Sequence, residues 1–335
     1  MNTVLKISQM GPQWQTSDPF LFCAFHHDHF PQGDGKCRPN TSLDGRYLGQ
    51  DFNQKDGWAM YHGRTVPGFP PHPHAGFETV TIAEKGFVDH ADSLNASGRF
   101  GNGDVQWMTA GKGVQHSEMF PLLDTEERNE LVLFQIWLNL PKAKKDVDPY
   151  FGMFWNENIP VVTMNDENGI TSKVKIVAGN YKETKALHPA PDSWAANAEA
   201  DINIWIIEIG AGGTFTLPKT QKETNRSLYF YDGDTLIIED YEVPPIHRIQ
   251  LHPETDAIIK AGEKPAKLVL LQGKPIGENV IQHGPFVANS REGINDIMMR
   301  FRENEFGGWP WNPEQTHGPD KKRFATFPDG HTETP

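Results

Sequence analysis

Apolar residues in this chain come in short runs, each closed off by glycine, proline, asparagine or aspartate. Val4 to Met10, Phe20 to Phe25, Phe77 to Ile82, Asp104 to Thr109 and Leu131 to Leu140 are such runs in the first half. Ile202 to Ile209, Thr214 to Leu217, Leu228 to Tyr231 and Thr235 to Ile238 continue the series. Short runs between turn residues predict strands. Gly210 to Gly213 reads as a turn, and Asp232-Gly233 as the tip of a hairpin between Leu228 and Ile238. A period of 3.6 stands out once. Asn289-Ser290-Arg291-Glu292 can cap a helix, and Ile294, Ile297, Met298 and Phe301 follow at helical spacing. The pattern is that of an all-β protein with one short C-terminal helix.

The chain has 335 residues, too many for one small barrel, and its 20 Phe and 9 Trp can fill two cores. Pro141 to Asn158 is rich in charge and proline and reads as a linker. The expected division is a first barrel at 1–145, a linker at 146–158, a second barrel at 159–290, and a helix with an irregular tail at 291–335. Residues 31–62 form a long polar, glycine-rich stretch anchored by Trp58, Met60 and Tyr61, suited to a lid or an oligomer contact. Trp309 and Trp311 are expected to dock the tail on a domain surface.

Charge narrows the function. The formal net charge is -13, and an acidic chain repels phosphate backbones, so direct nucleic-acid binding is not expected. The densest basic run, Lys142, Lys144 and Lys145, is short and reads as a solvated linker. No apolar run is long enough to cross a membrane, and no signal-peptide pattern opens the chain. With only Cys23 and Cys37 present, free thiols and a cytoplasmic setting are expected, although a Cys23–Cys37 disulfide is compatible with the sequence.

The chemistry concentrates between Phe69 and Glu118. His72 and His74 stand two apart, and so do His116 and Glu118. Residues two apart on a strand share a face. Two such strands side by side would converge three imidazoles and a carboxylate, a donor set for a first-row transition metal. Glu78 shares the parity of His72 and His74 and is a rival ligand, though Gly76 can shift the register. Gly111 and Gly113 supply a sharp bend before His116. Trp107, Met108, Met119 and Phe120 line either an apolar pocket or the barrel core. His26-His27-Asp28-His29 resembles a metal cluster, but its spacing does not fit one strand face and it reads as a loop at a barrel rim. In the second half Asn225-Arg226-Ser227 stands where the first has His-x-His, and His247 and His252 lack a partner pair. One metal per chain, in the first barrel, follows.

The runs Pro70-Pro71-His72-Pro73-His74, Gly76 to Thr81, Gly103 to Gly113 and His116-Ser117-Glu118-Met119, with Gln282-His283-Gly284-Pro285-Phe286-Val287 near the far end, resemble the pirin family of the cupin superfamily. The resemblance implies two tandem cupin, jelly-roll-like β-barrels with one mononuclear metal in the first. It implies His72, His74, His116 and Glu118 as ligands and iron, as Fe(II), as the metal; Mn, Co, Ni, Cu or Zn also suit the donors. It implies quercetin 2,3-dioxygenase-like cleavage of a flavonol, with a phenolic substrate and dioxygen as partners and Glu118 as ligand and base. It equally implies a non-catalytic, metal-dependent transcriptional co-regulator. Ala75 departs from the family, in which an arginine is common after the second histidine.

Overall fold

The computed structural model describes residues 2–335, which divide into two units. The division is not consecutive. Residues 24–157 and 278–335 form one unit, and 158–277 with the segment up to Cys23 form the other. The first strand of the chain, Val4–Gln9, is therefore an edge of the later unit, pairing with His247–Leu251. The expected linker is also corrected in part: Tyr150–Phe154 pairs with Asp104–Thr109, because Phe151 and Met153 supply apolar side chains to the same core as Phe100 and Leu133.

The unit holding 158–277 packs two sheets. One runs Val4–Gln9, His247–Leu251, Asn225–Asp232, Ala266–Gly273, Asn203–Ile209, Thr171–Ala178, Val161–Asn165. The other runs Thr214–Leu217, Ala257–Ala261, Leu236–Ile238, Tyr241–Val243. Inward residues such as Phe215, Leu228, Phe230 and Ile259 fill the space between. The expected 228–238 hairpin is absent. Asn225–Asp232 and Leu236–Ile238 lie in different sheets, so Asp232-Gly233 marks a crossing. Gly233 takes φ 138°, and a Cβ there would meet the Phe230 ring at 2.8 Å. At the His-x-His equivalent, Arg226 is buried and its guanidinium donates to the Pro218 and Thr255 carbonyls at 2.8 and 3.1 Å.

The unit holding 24–157 packs one sheet of Tyr150–Phe154, Asp104–Thr109, Phe77–Lys85, Asn129–Asn139 and the later part of Phe20–Phe30. The other runs Thr332–Glu333, Phe324–Thr326, Ser97–Gly101, Phe87–Asp92, Val114–Met119, Gly68–His74. The tail is irregular apart from two short strands, but it is docked. Phe324–Thr326 adds a strand beside Ser97–Gly101, and the Trp311 indole donates to the Asp92 carbonyl at 2.7 Å. Arg99 fixes the tail from inside: it forks onto Asp89 with two bonds of 2.6 Å and also donates to the Gly318 carbonyl at 2.8 Å.

The helix forms where its cap and spacing place it, Arg291–Asn304, with the Ser290 hydroxyl accepting from the Gly293 amide. Its buried Ile294 and Ile297 pack with Phe286, Phe306 and Ala75. Each such side chain removed from water contributes roughly 1.5–3 kcal/mol, so the helix clamps the backbone one residue after His74. His26 to His29 are corrected from loop to strand within Phe20–Phe30. Polar residues are tolerated there because Asp28 is held inside: it accepts from the Tyr61 hydroxyl at 2.7 Å, the Gln54 amide at 3.0 Å and the Ala59 amide at 3.0 Å. The 31–62 segment packs on this unit, with the Arg46 guanidinium 3.3 Å from the Trp58 ring centroid and bonded to buried Asp51 at 2.9 Å. Cys23 and Cys37 are buried and not joined by a disulfide.

Candidate metal centre

Gly68–His74 and Val114–Met119 pair antiparallel, with His72 opposite His116, His74 opposite Val114 and Phe69 opposite Glu118. The register slips between Phe69 and His72, where Pro70 and Pro71 have no amide to donate. Two-residue spacing on adjacent strands brings the rings together. The His72–His116, His72–His74 and His74–His116 centroids are 4.4, 4.8 and 4.9 Å apart, and the ligand atoms of all three lie within 4.8 Å of one another.

The backbone after His74 is built for close approach. Gly76 takes φ 86°, and a Cβ there would stand 1.9 Å from the Val287 carbonyl oxygen. The Ala75 amide donates to the Pro285 carbonyl at 3.3 Å, and the Val287 amide donates back to the Ala75 carbonyl at 3.0 Å. This is where the Gln282–Val287 motif meets the His-x-His motif. Gly113, φ 136°, lies under the Phe306 ring, which would be 2.5 Å from any Cβ.

The donor set fits a metal. His72 Nδ1 lies 2.9 Å from the Pro70 carbonyl; a carbonyl only accepts, so Nδ1 carries the proton and Nε2 presents a lone pair. The ring nitrogens of His116 are buried without a hydrogen-bond partner, and buried His74 has only the Pro285 backbone beside its ring. Buried polar atoms without partners cost roughly 1–3 kcal/mol each, and a shared cation would satisfy one nitrogen of each ring. Burial holds His72 neutral, down to about 4. Burial first, then the neighbouring imidazoles, holds His74 and His116 well below the usual range. Neutral imidazole is the form that ligates.

Glu118 adjoins the triad, with Oε2 3.7 Å from His116 Nε2. The Thr81 hydroxyl donates to its Oε1 at 3.1 Å, and the Gln135 amide donates to its Oε2 at 2.5 Å. Burial pushes its pKa up, opposed by His90 and by these two hydrogen bonds. The Trp137 indole donates to Gln135 Oε1 at 3.1 Å and so fixes which way the amide faces. Thr81 and Gln135 were not among the residues expected in the site. For Gln135 a signal was available, since it is the polar residue inside the apolar run Leu131 to Leu138; Thr81 lies among Glu78, Thr79 and Glu84 and does not stand out.

Glu78 is drawn elsewhere. It accepts from the Trp107 indole at 3.1 Å and the Thr109 hydroxyl at 2.8 Å. Gly76 ends the strand that carries His72 and His74, so the parity does not carry through to Phe77–Lys85. Met108 and Met119 belong to separate core clusters. Phe120 does stand near the site, within an aromatic wall. Phe69, 6.2 Å from the His72 ring, stacks on Tyr61 at 5.3 Å and meets Phe120 edge-on at 6.0 Å. Phe52, half exposed, forms the outer rim against Tyr61 at 5.5 Å. Tyr61 and Phe52 come from the long 31–62 segment, which therefore contributes to the surroundings of the centre. Trp137 closes the opposite side, 5.0 Å from His74 and stacked on Phe77 at 3.9 Å.

Residues 4–138 match the Pirin family, and residues 204–307 match the Pirin C-terminal cupin domain. A pirin-like protein of Caulobacter vibrioides is 34% identical over 268 residues, 80% of this chain and 90% of its own. A Pseudomonas aeruginosa protein provisionally named quercetin 2,3-dioxygenase is 32% identical over 239 residues, 71% of this chain and 79% of its own. Human pirin is 32% identical over 262 residues, 74% and 80% of the two chains. A quercetin 2,3-dioxygenase crystal structure from Acinetobacter baumannii superposes with a TM-score of 0.71 at 24% identity, covering 92% of this chain and 99% of that one, which supports the bicupin fold. With both halves matched and relatives alike across most of their length, the chain belongs to the pirin family.

Proposed function

We propose that this protein is a metal-dependent dioxygenase that cleaves a flavonol of the quercetin type. The observation that carries the reading is the three-histidine cluster, with His74 and His116 buried and each ring left a nitrogen for a cation, standing beside a wall of aromatic rings. A quercetin dioxygenase name among the relatives supports the substrate class.

In this reading His72, His74, His116 and Glu118 hold one first-row metal, Fe(II) by preference. When bound, the metal supplies a Lewis acid that acidifies a coordinated hydroxyl and a redox centre with open positions. The chain does the rest. Phe69, Tyr61 and Phe120 orient a flat ring by stacking and edge contacts. The buried walls exclude water, which strengthens each electrostatic contact inside. Glu118 receives the hydroxyl proton at a carboxylate oxygen, while Thr81 and Gln135 keep the group from swinging away.

The test is dioxygen uptake and carbon monoxide release by iron-loaded wild type and Glu118→Ala at matched iron content, across a panel of flavonols. The reading expects release by wild type and its collapse in the variant. Equal release by both would remove Glu118 from the reaction, and no release from either would favour a non-catalytic metal-dependent binding protein.

A further inference from the structure

A second cluster of metal-capable groups stands apart from the centre. His27 and His29 alternate with buried Asp28 and Phe30 along Phe20–Phe30, so both point outward to solvent. Glu130, on the neighbouring strand Asn129–Asn139, reaches the same spot. His27 Nε2 is 3.0 Å from Glu130 Oε1, the two imidazole rings are 4.7 Å apart, and one ligand atom from each of the three lies within 4.8 Å of the others. We propose that His27, His29 and Glu130 form a second, solvent-facing site for a divalent transition cation, of which zinc is the best match.

The chemistry is that of a two-histidine, one-carboxylate site with an open fourth position. Zinc bonds of about 2.0–2.2 Å at tetrahedral angles place donor atoms about 3.4 Å apart. The His27–Glu130 contact is already near that separation. The contacts of His29 must close by up to about 1.4 Å from the 4.8 Å limit, within reach of exposed side chains. Their backbones need not move, because the two histidines share a strand face and Glu130 sits on an adjacent strand. The other carboxylate oxygen is occupied: Lys85 donates to Glu130 Oε2 at 2.9 Å. That contact orients the carboxylate and leaves Oε1 facing the imidazoles. Against the site stands the Lys85 charge itself, which opposes a cation nearby. Lys85 is half exposed and can turn into solvent. Without metal, the cluster holds exposed polar contacts and the Lys85–Glu130 pair, of a kind that contributes little to stability.

The site would staple Phe20–Phe30 to Asn129–Asn139 on the outside of the sheet. On the inside, the same strand carries Asp28, which holds Tyr61 in the aromatic wall. The proposal does not depend on what the inner centre catalyses.

The test is a zinc titration of full-length protein whose inner centre has first been filled and freed of excess metal, read by chelator competition and by thermal unfolding. Wild type should take up one further equivalent with a rise in Tm. The double variant His27→Ala, His29→Ala should lose that equivalent, with affinity down by more than roughly tenfold, the lower end of what even an outer-sphere partner is worth. Both side chains are exposed, so the variant should remain folded. His116→Ala should keep the outer equivalent while losing the inner metal. No further equivalent in wild type, or one that survives the double variant and so belongs to an adventitious ion elsewhere, would overturn the proposal.

Discussion

Replacing Gln135 with leucine isolates the support of Glu118 from the ligands themselves. The amide nitrogen lies 2.5 Å from Glu118 Oε2, while the Thr81 hydroxyl on Oε1 is at 3.1 Å and would remain. Leucine nearly matches the volume, so the cavity term is small. Two effects separate. Without metal, the variant loses a hydrogen bond to a buried carboxyl and the acceptor of the Trp137 indole, a loss of about 1–3 kcal/mol. With metal, loss of a partner that orients a ligand weakens affinity by about 10–100-fold, or about 1.4–2.8 kcal/mol. Urea unfolding of the metal-free protein reads the first, and competition with a chromophoric chelator reads the second. Glu78→Gln is the control. It disturbs Trp107 and Thr109 and should lower stability while leaving metal affinity unchanged. If Gln135→Leu binds metal as tightly as wild type, or Glu78→Gln binds it more weakly than Gln135→Leu, the assignment of Glu118 as fourth donor fails.

Other outcomes follow from the same contacts. Arg99→Met leaves the buried Asp89 carboxylate unpaired and should cost about 3–5 kcal/mol, with the tail near Gly318 opened to protease; adding Asp89→Leu should restore part of the loss. Gly76→Ala must hold φ 86° and push against the Val287 carbonyl, so it should destabilise by more than about 2 kcal/mol and reduce metal content. Lys145 is buried, bonded to the Gly76 carbonyl at 2.8 Å and Asn139 Oδ1 at 2.7 Å, and burial brings its pKa down from 10.5 to about 8. A lowered folded pKa means that stability is fully present above the unfolded value and is lost as pH falls through the folded one. Relative to Lys145→Met, wild type should therefore gain about 2 kcal/mol between about pH 7.5 and about pH 9.5. A flat difference in urea midpoints would show that the ammonium is not penalised.

The convergence of His72, His74 and His116 was legible because its signal is local. His72-x-His74 and His116-x-Glu118 each encode a shared strand face in three residues, and the strands that carry them are adjacent. The helix was legible for the same reason, with Ser290 as cap and Ile294 and Ile297 on its buried face. What escaped was long-range. Nothing near Val4 says that it pairs with Leu251, and nothing near Ala325 says that it returns to Gly98. Glu130 joins His27 from 103 positions away, and four consecutive polar residues at His26 to His29 hide a strand whose inner face is completed by Tyr61. Asp232-Gly233 has the chemistry of a hairpin tip but serves a crossing between sheets, a choice made by packing and not by the turn residues. Lys145, expected in a solvated linker, is buried because two oxygen acceptors meet it there.

The measurement that bears most directly on the centre is a crystal structure of iron-loaded protein with anomalous data at the iron edge. The account predicts a strong peak about 2.0–2.2 Å from a nitrogen of each of His72, His74 and His116 and from an oxygen of Glu118. Thr81 or Gln135 should still be bonded to that carboxylate. A strong peak elsewhere with none inside the histidine cluster, or iron held there while Glu118 stays turned away onto Thr81 and Gln135, would contradict it.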